Sequence, residues 1–181
     1  MRHAALVAGF LAMTALSGAQ PASAAALPSY EIWKADVHKA MQGGTDYLNK
    51  RVEQGGKKLA IVTDIDNTAL ETHYRRGHAT ADVLDFAETG HRLGISILIA
   101  SARTDADGAR KALTDVGYRV DGTCVRQSGD QHATDVKQRC RQEYAQQGYT
   151  IIANVGNRPG DMTGGNYERG FKLPDYDEQL S

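Results

Sequence analysis

Leu59-Ala60-Ile61-Val62-Thr63-Asp64-Ile65-Asp66-Asn67-Thr68 is the stretch on which the reading of this chain turns. Residues 59–63 form a short apolar run of the kind that makes a buried strand, and it ends abruptly in two carboxylates two positions apart. Residues 95–100 and 151–155 repeat the apolar run. Helical stretches separate them, over residues 81–93, 105–116 and 135–147. Thr104 and Thr134 sit where N-caps are expected, and Gly94, Gly117 and Gly148 sit where those helices should stop. Residues 118–124 are expected to hold a further strand and residues 171–173 a short edge strand. Strand alternating with helix at this spacing predicts an α/β fold, a three-layer Rossmann-like parallel sheet with helices on both faces. Such sheets bind ligands at the carboxyl ends of their strands, which is where Asp64 and Asp66 stand.

Working outward, residues 30–52 carry Ile32, Trp33, Val37, Met41 and Leu48 at near-helical spacing, broken by Gly43-Gly44. They predict an N-terminal helical arm in two segments. Farther upstream, Arg2, the apolar residues 4–16 and Ala22-Ser23-Ala24 form the pattern of a cleaved secretory signal. That apolar run is shorter than the roughly 20 residues a membrane span needs. No Cys follows it and no Arg pair precedes it, which disfavours a lipid-anchored form and twin-arginine export. The expected organisation is a signal peptide over 1–24, a helical arm over 25–57 and an α/β domain over 58–181, secreted to the periplasm or beyond and without membrane contact once cleaved. The 181 residues carry 21 Lys and Arg against 22 Asp and Glu, a formal net charge of -1, so no nucleic-acid binding is expected. Cys124 and Cys140 both lie in the exported part, where an even count favours a disulfide over two thiols that never meet.

Two carboxylates at the mouth of a buried strand are costly to ionise together unless a cation or donors compensate them. Mg²⁺ would do so, since it takes oxygen ligands and joins one or two carboxylates to a phosphate. The pair also suits covalent phosphoryl transfer, with Asp64 as nucleophile and Asp66 as acid and base. The next apolar run closes on Ser101-Ala102-Arg103, where a hydroxyl can donate to a phosphate oxygen and a guanidinium can neutralise an anion. Lys137 is read in the first turn of a helix, an unfavourable place for a cation unless it has work there. The third run is followed by Gly156-Asn157-Arg158-Pro159-Gly160-Asp161, a glycine-rich loop in which Asn157 and Asp161 can approach a metal or phosphate.

With these residues in order, the chain resembles the haloacid dehalogenase superfamily of phosphatases from about residue 58 to 165. Asp64, Asp66 and Thr68 match its Asp-x-Asp-x-Thr motif, Ser101 its strand-closing hydroxyl and Lys137 its lysine. The fourth motif departs, with Asn157 where the family usually has a carboxylate, before Asp161. Ser101-Ala102-Arg103 and Phe171-Lys172-Leu173-Pro174 look most like secreted class B and plant-type acid phosphatases. The resemblance implies Mg²⁺ held by Asp64, the Asp66 carbonyl and Asp161 with Asn157 nearby, and phosphate binding by Ser101 and Lys137, with Thr68 and Arg103 assisting. It implies hydrolysis of small-molecule phosphomonoesters through an aspartyl-phosphate intermediate. Residues 69–94 leave little or no room for a cap domain, so an open site is expected, with His73, Tyr74, Arg75 and Arg76 able to touch substrate. Two other readings stand beside this one: a non-catalytic binding or storage protein, for which Asn157 is the sign, and a phosphotransferase.

Overall fold

The computed structural model describes residues 26–180, and the signal peptide read over 1–24 lies outside the described residues. Five strands, β1 (Leu59–Thr63), β2 (Ser96–Ser101), β3 (Gly122–Val125), β4 (Thr150–Gly156) and β5 (Arg169–Lys172), form one sheet in the order β3-β2-β1-β4-β5. Every pairing is parallel, so β1 is central and the chain winds outward from it in both directions. The crossover helices are α3 (Ala81–Arg92), α4 (Ala106–Thr114) and α5 (Ala133–Gln146), preceded by α1 (Tyr30–Met41) and α2 (Gly44–Glu53). The three layers expected from the alternation of elements are present.

Side chains alternate across each strand, and this divides the core in two. Ile61, Ile97 and Ile99 point to the face covered by Trp33, Val37, Leu48, Phe86 and Leu113 from α1 to α4. Ala60, Val62, Leu98 and Ala100 point to the opposite face, which α5 covers with Val136, Cys140 and Tyr144. The helical arm breaks where expected, because Gly43 at φ +71° takes the left-handed backbone that lets α2 restart against the core. Gly90 lies against the sheet where a Cβ would overlap the Ile61 side chain, which brings α3 close to β1.

The caps differ from expectation. Asp105, not Thr104, caps α4, its carboxylate accepting from the Gly108 amide at 3.0 Å. Helix α5 begins at Ala133 with His132 as its N-cap, and Asp135 reaches back to accept from the His132 amide at 2.8 Å. At α4 Asp outcompetes the adjacent Thr because a carboxylate is the better acceptor for an unpaired first-turn amide, whereas at α5 Asp135 sits at the third helical position and closes a capping box with His132. Gly94, Gly117 and Gly148 end their helices with φ of 76°, 105° and 87°. The loop after β4 is partly helical, with a short α6 (Pro159–Met162) that the Pro-Gly composition concealed. Cys124 on β3 and Cys140 on α5 are disulfide-bonded, with Cα atoms 5.7 Å apart.

Candidate active site

The carboxyl edge of β1, β2 and β4 opens into a cleft of about 590 Å³ lined by Asp64, Asp66, Ser101, Lys137, Asn157 and Asp161, with His132, Arg158 and Glu178 among its other lining residues. Each arrives by a local device. Asp64 follows β1 directly and its amide donates to the Val155 carbonyl at 3.0 Å, which fixes the chain as it leaves the sheet. Asn67 then takes a left-handed φ of 53°, and Thr68 turns back beneath Asp64. Ser101 ends β2 and is buried. Asp161 is brought inward by α6, where its Oδ2 accepts from the Arg158 amide at 2.9 Å. Gly156 is required beneath it, since a Cβ there would overlap the Asp161 side chain.

Lys137 is the electrostatic centre. Its Nζ ion-pairs with Asp64, lies 2.9 Å from Asp161 Oδ1 and donates to the Ala100 carbonyl at 2.8 Å. Because α5 starts two residues earlier than the sequence suggests, Lys137 falls in the second turn and is only 5% exposed. It is a buried cation between two buried carboxylates rather than a solvated side chain. Burial works to lower its pKa, but Asp64 and Asp161 outweigh burial and raise it, so the ammonium is held charged. The Asp64 carboxyl is pushed up to about 6, chiefly by burial and further by Asp161, with Lys137 opposing.

Thr68 is fully buried behind Asp64 rather than facing the cleft, its hydroxyl 3.4 Å from Asp64 Oδ2 and 3.3 Å from Asn157 Oδ1. Arg103 is not on the cleft lining either. It grips both oxygens of Asp66, Nε to Oδ2 at 2.9 Å and Nη2 to Oδ1 at 2.7 Å, and Thr72 adds a third bond at 2.8 Å. Burial tends to raise the Asp66 pKa, yet these bonds and the Arg103 charge hold it below the usual carboxylate range. A guanidinium so placed meets a carboxylate before it meets a phosphate, which is why Arg103 as a direct phosphate ligand does not emerge from the geometry.

His73, Tyr74, Arg75 and Arg76 are also absent from the cleft lining. Tyr74 stacks on Trp33 with ring centroids 5.0 Å apart, and Arg75 donates to the Tyr30 hydroxyl at 3.0 Å, so this segment fastens the helical arm. Turns and two isolated β-bridges connect β1 to α3, and no cap covers the cleft among the described residues.

Some supporting residues escaped the sequence. Arg141, one helical turn after Lys137, is buried and donates to the carbonyls of Asp161 (2.7 Å), Gly165 (2.9 Å) and Thr163. The Asn154 amide also donates to the Asp161 carbonyl at 2.9 Å. The position of Arg141 four residues after Lys137 on α5 was the available signal, because that spacing puts both on one side of the helix.

Among the described residues no group of three or more His, Cys, Asp or Glu side chains is gathered to hold a metal by itself. The donors at the strand ends nevertheless suit a hard dication. Two buried carboxylates, Asp64 and Asp161, share one ammonium, which leaves a negative charge uncompensated, and the remaining donors are amide or carbonyl oxygens.

A doubly wound parallel sheet with two Asp, a Lys and a Ser converging at its carboxyl edge defines a haloacid dehalogenase-type phosphatase. Residues 72–179 match the model for the HAD superfamily, subfamily IIIB (Acid phosphatase), an interval that begins after Asp64 and Asp66 and includes Ser101, Lys137, Asn157 and Asp161. The chain belongs to this family and is a phosphatase, with small phosphomonoesters as the substrate class that membership implies. The class C acid phosphatase from Bacillus anthracis shares the fold, with a TM-score of 0.62 and 16% identity over 81% of this chain and 79% of that one. No curated protein matches the chain.

Proposed function

We propose that this phosphatase is a secreted, Mg²⁺-dependent acid phosphatase that hydrolyses phosphomonoesters through an aspartyl-phosphate on Asp64. The observation that carries the reading is the set Asp64–Lys137–Asp161 at the carboxyl edge of the sheet, with Ser101 on the same cleft. Asp64 Oδ attacks phosphorus as the ester oxygen departs, and Asp66 gives its proton to that oxygen. Asp66, now a carboxylate, takes a proton from water as the water oxygen bonds to phosphorus and the Asp64–phosphorus bond breaks, releasing inorganic phosphate. Lys137 and Ser101 hold the transferring group, and Lys137 balances the charge of Asp64 and Asp161. Asp64, Asp161, the Asp66 carbonyl and Asn157 Oδ1 would hold Mg²⁺, which when bound neutralises charge on the phosphoryl oxygens. Both Asp66 oxygens are taken by Arg103, so donation to a leaving group requires at least one of those bonds to open when substrate enters. Export is supported by the signal-like residues 2–24 and by the Cys124–Cys140 disulfide.

The test is hydrolysis of a chromogenic aryl phosphate from pH 4 to 8, with Mg²⁺ or with chelator. Asp64→Asn should lower kcat by at least about a thousandfold while leaving the protein folded, since removing a nucleophile removes the covalent route. Retained turnover in that variant would overturn the assignment of Asp64, and turnover indifferent to chelator would overturn the metal.

A further inference from the structure

Residues 174–180 leave β5 and fold back across the carboxyl edge of the sheet, and two residues of the departing fourth motif hold them there. The Asn157 amide donates to the Leu180 carbonyl at 2.9 Å. Arg158 Nη1 donates to the Glu178 carbonyl at 2.8 Å and to the Leu180 carbonyl at 3.3 Å, and Nη2 meets the Glu178 carboxylate at 3.2 Å. Leu180 is fully buried in the main core, and the Tyr176 hydroxyl donates to Asp36 on α1 at 2.7 Å. Tyr176, Asp177 and Glu178 carry three successive left-handed φ values of 49°, 55° and 65°, which non-glycine residues keep only when their surroundings hold them. The consequence is chemical: Glu178 becomes part of the cleft lining, and the guanidinium of Arg158, a cation beside the phosphoryl end, is occupied by this segment.

We infer that residues 175–180 form a wall of the catalytic cleft, latched by Asn157 and Arg158, and that Glu178 on this wall disfavours phosphomonoesters whose leaving group carries negative charge. This rests on the catalytic reading above. It also gives the amide at position 157 a use of its own. A carboxylate there would face the Leu180 carbonyl with no proton to donate, whereas Asn donates to the wall and still offers an oxygen to the cleft.

Three phosphomonoesters separate the effects: O-phosphoethanolamine with a cationic leaving group, phenyl phosphate with a neutral one and 3-phosphoglycerate with an anionic one. Glu178→Gln should lower the kcat/KM ratio of phosphoethanolamine to phosphoglycerate by about two- to fivefold, the size of an exposed charge interaction, and Glu178→Lys by about tenfold. Loss of the anion and release of Arg158 act in the same direction. The latch is read separately by amide hydrogen exchange at Gln179 and Leu180, whose N–H groups bond to Tyr176 and Asp175. Asn157→Asp should speed exchange there and leave β4 protected, with Asn157→Ala as the second variant should a buried carboxylate hinder folding. An unchanged ratio in a Glu178→Lys protein that still hydrolyses phenyl phosphate would overturn the selectivity, and unchanged exchange in a folded Asn157 variant would overturn the latch. Absence of turnover on all three esters in the wild type would instead bring down the catalytic reading and the selectivity with it, while exchange still judges the latch.

Discussion

Asp66 shows how one neighbour sets the working range of a side chain. Burial pushes its pKa upward, but the two bonds from Arg103, the bond from Thr72 and the nearby positive charge together hold it below the ordinary range. If Asp66 first gives and then takes a proton, its pKa governs the alkaline limb of the first step and the acid limb of the second. Arg103→Met should therefore move the kcat profile toward higher pH by about one unit or more, the usual effect of removing an arginine beside a carboxylate. Measuring kcat from pH 3 to 8 checks this, with circular dichroism verifying the fold. A profile that stays in place would mean that Asp66 is not the proton carrier or that Arg103 does not control it. Asp64 and Asp66 were legible in the sequence because two acids at the end of an apolar strand have few structural uses. The roles of Arg103 and Thr68 were not, since the direction a side chain takes on leaving a strand depends on what the fold packs beside it.

Helix α5 places more of the site than any other helix. Val136, Cys140 and Tyr144 make the stripe that lies on the sheet, and Lys137 and Arg141, each one residue after a stripe position, turn toward the strand ends. The disulfide ties this helix to β3 across a sequence separation of 16. In the chain-entropy account, a loop of that size contributes about 3 kcal/mol. The Cys124→Ser/Cys140→Ser double variant should melt about 6–12 °C lower by calorimetry, given the usual conversion for a domain of this size. Its KM for aryl phosphate at 25 °C should change little, because Lys137 keeps its bonds to Ala100, Asp64 and Asp161. A large KM increase at unchanged melting temperature would show that the disulfide positions the lysine rather than stabilising the fold. Strand positions were readable to within a residue or two at the ends of β1, β2 and β4, because apolar runs bounded by polar residues leave little freedom. The start of α4 is ambiguous in the sequence because Thr104 and Asp105 stand side by side and both can cap, and the start of α5 is hidden because His132, a weak capping type, precedes the stronger candidate Thr134. The four-residue α6 carries no apolar period at all, so nothing in its composition distinguished it from a turn.

At the scale of the whole molecule, the sheet and its two covered faces follow from the alternation of apolar runs with amphipathic stretches, and that much is legible in the sequence. The wall formed by residues 175–180 was not, because a run of left-handed residues fixed by distant carbonyl bonds has no local signature. The same molecule-wide view gives a stability prediction, since the protein folds around a carboxyl that resists ionisation. The Asp64 pKa rises from 3.8 to about 6 on folding, so between those values the folded chain binds more of a proton than the unfolded one. Stability must then fall as pH rises through that window and level off above it, with a slope of at most about 1.4 kcal/mol per pH unit and a total of roughly 3 kcal/mol. Asp64→Asn lacks this carboxyl and should lack the decline, so the difference in denaturation free energy between wild type and variant, both in chelator, isolates the effect from every other titrating group. That difference should shift against the wild type mostly between pH 4 and 6, by about a few tenths of a kcal/mol more from 6 to 7, and stay constant above about pH 7. Added Mg²⁺ should restore the wild type most above pH 6, where the carboxylate is ionised and no proton has to be displaced. A wild-type-to-variant difference that is flat from pH 4 to 7 in chelator would show that Lys137 compensates Asp64 fully, and the case for a cation at this site would lose its electrostatic ground.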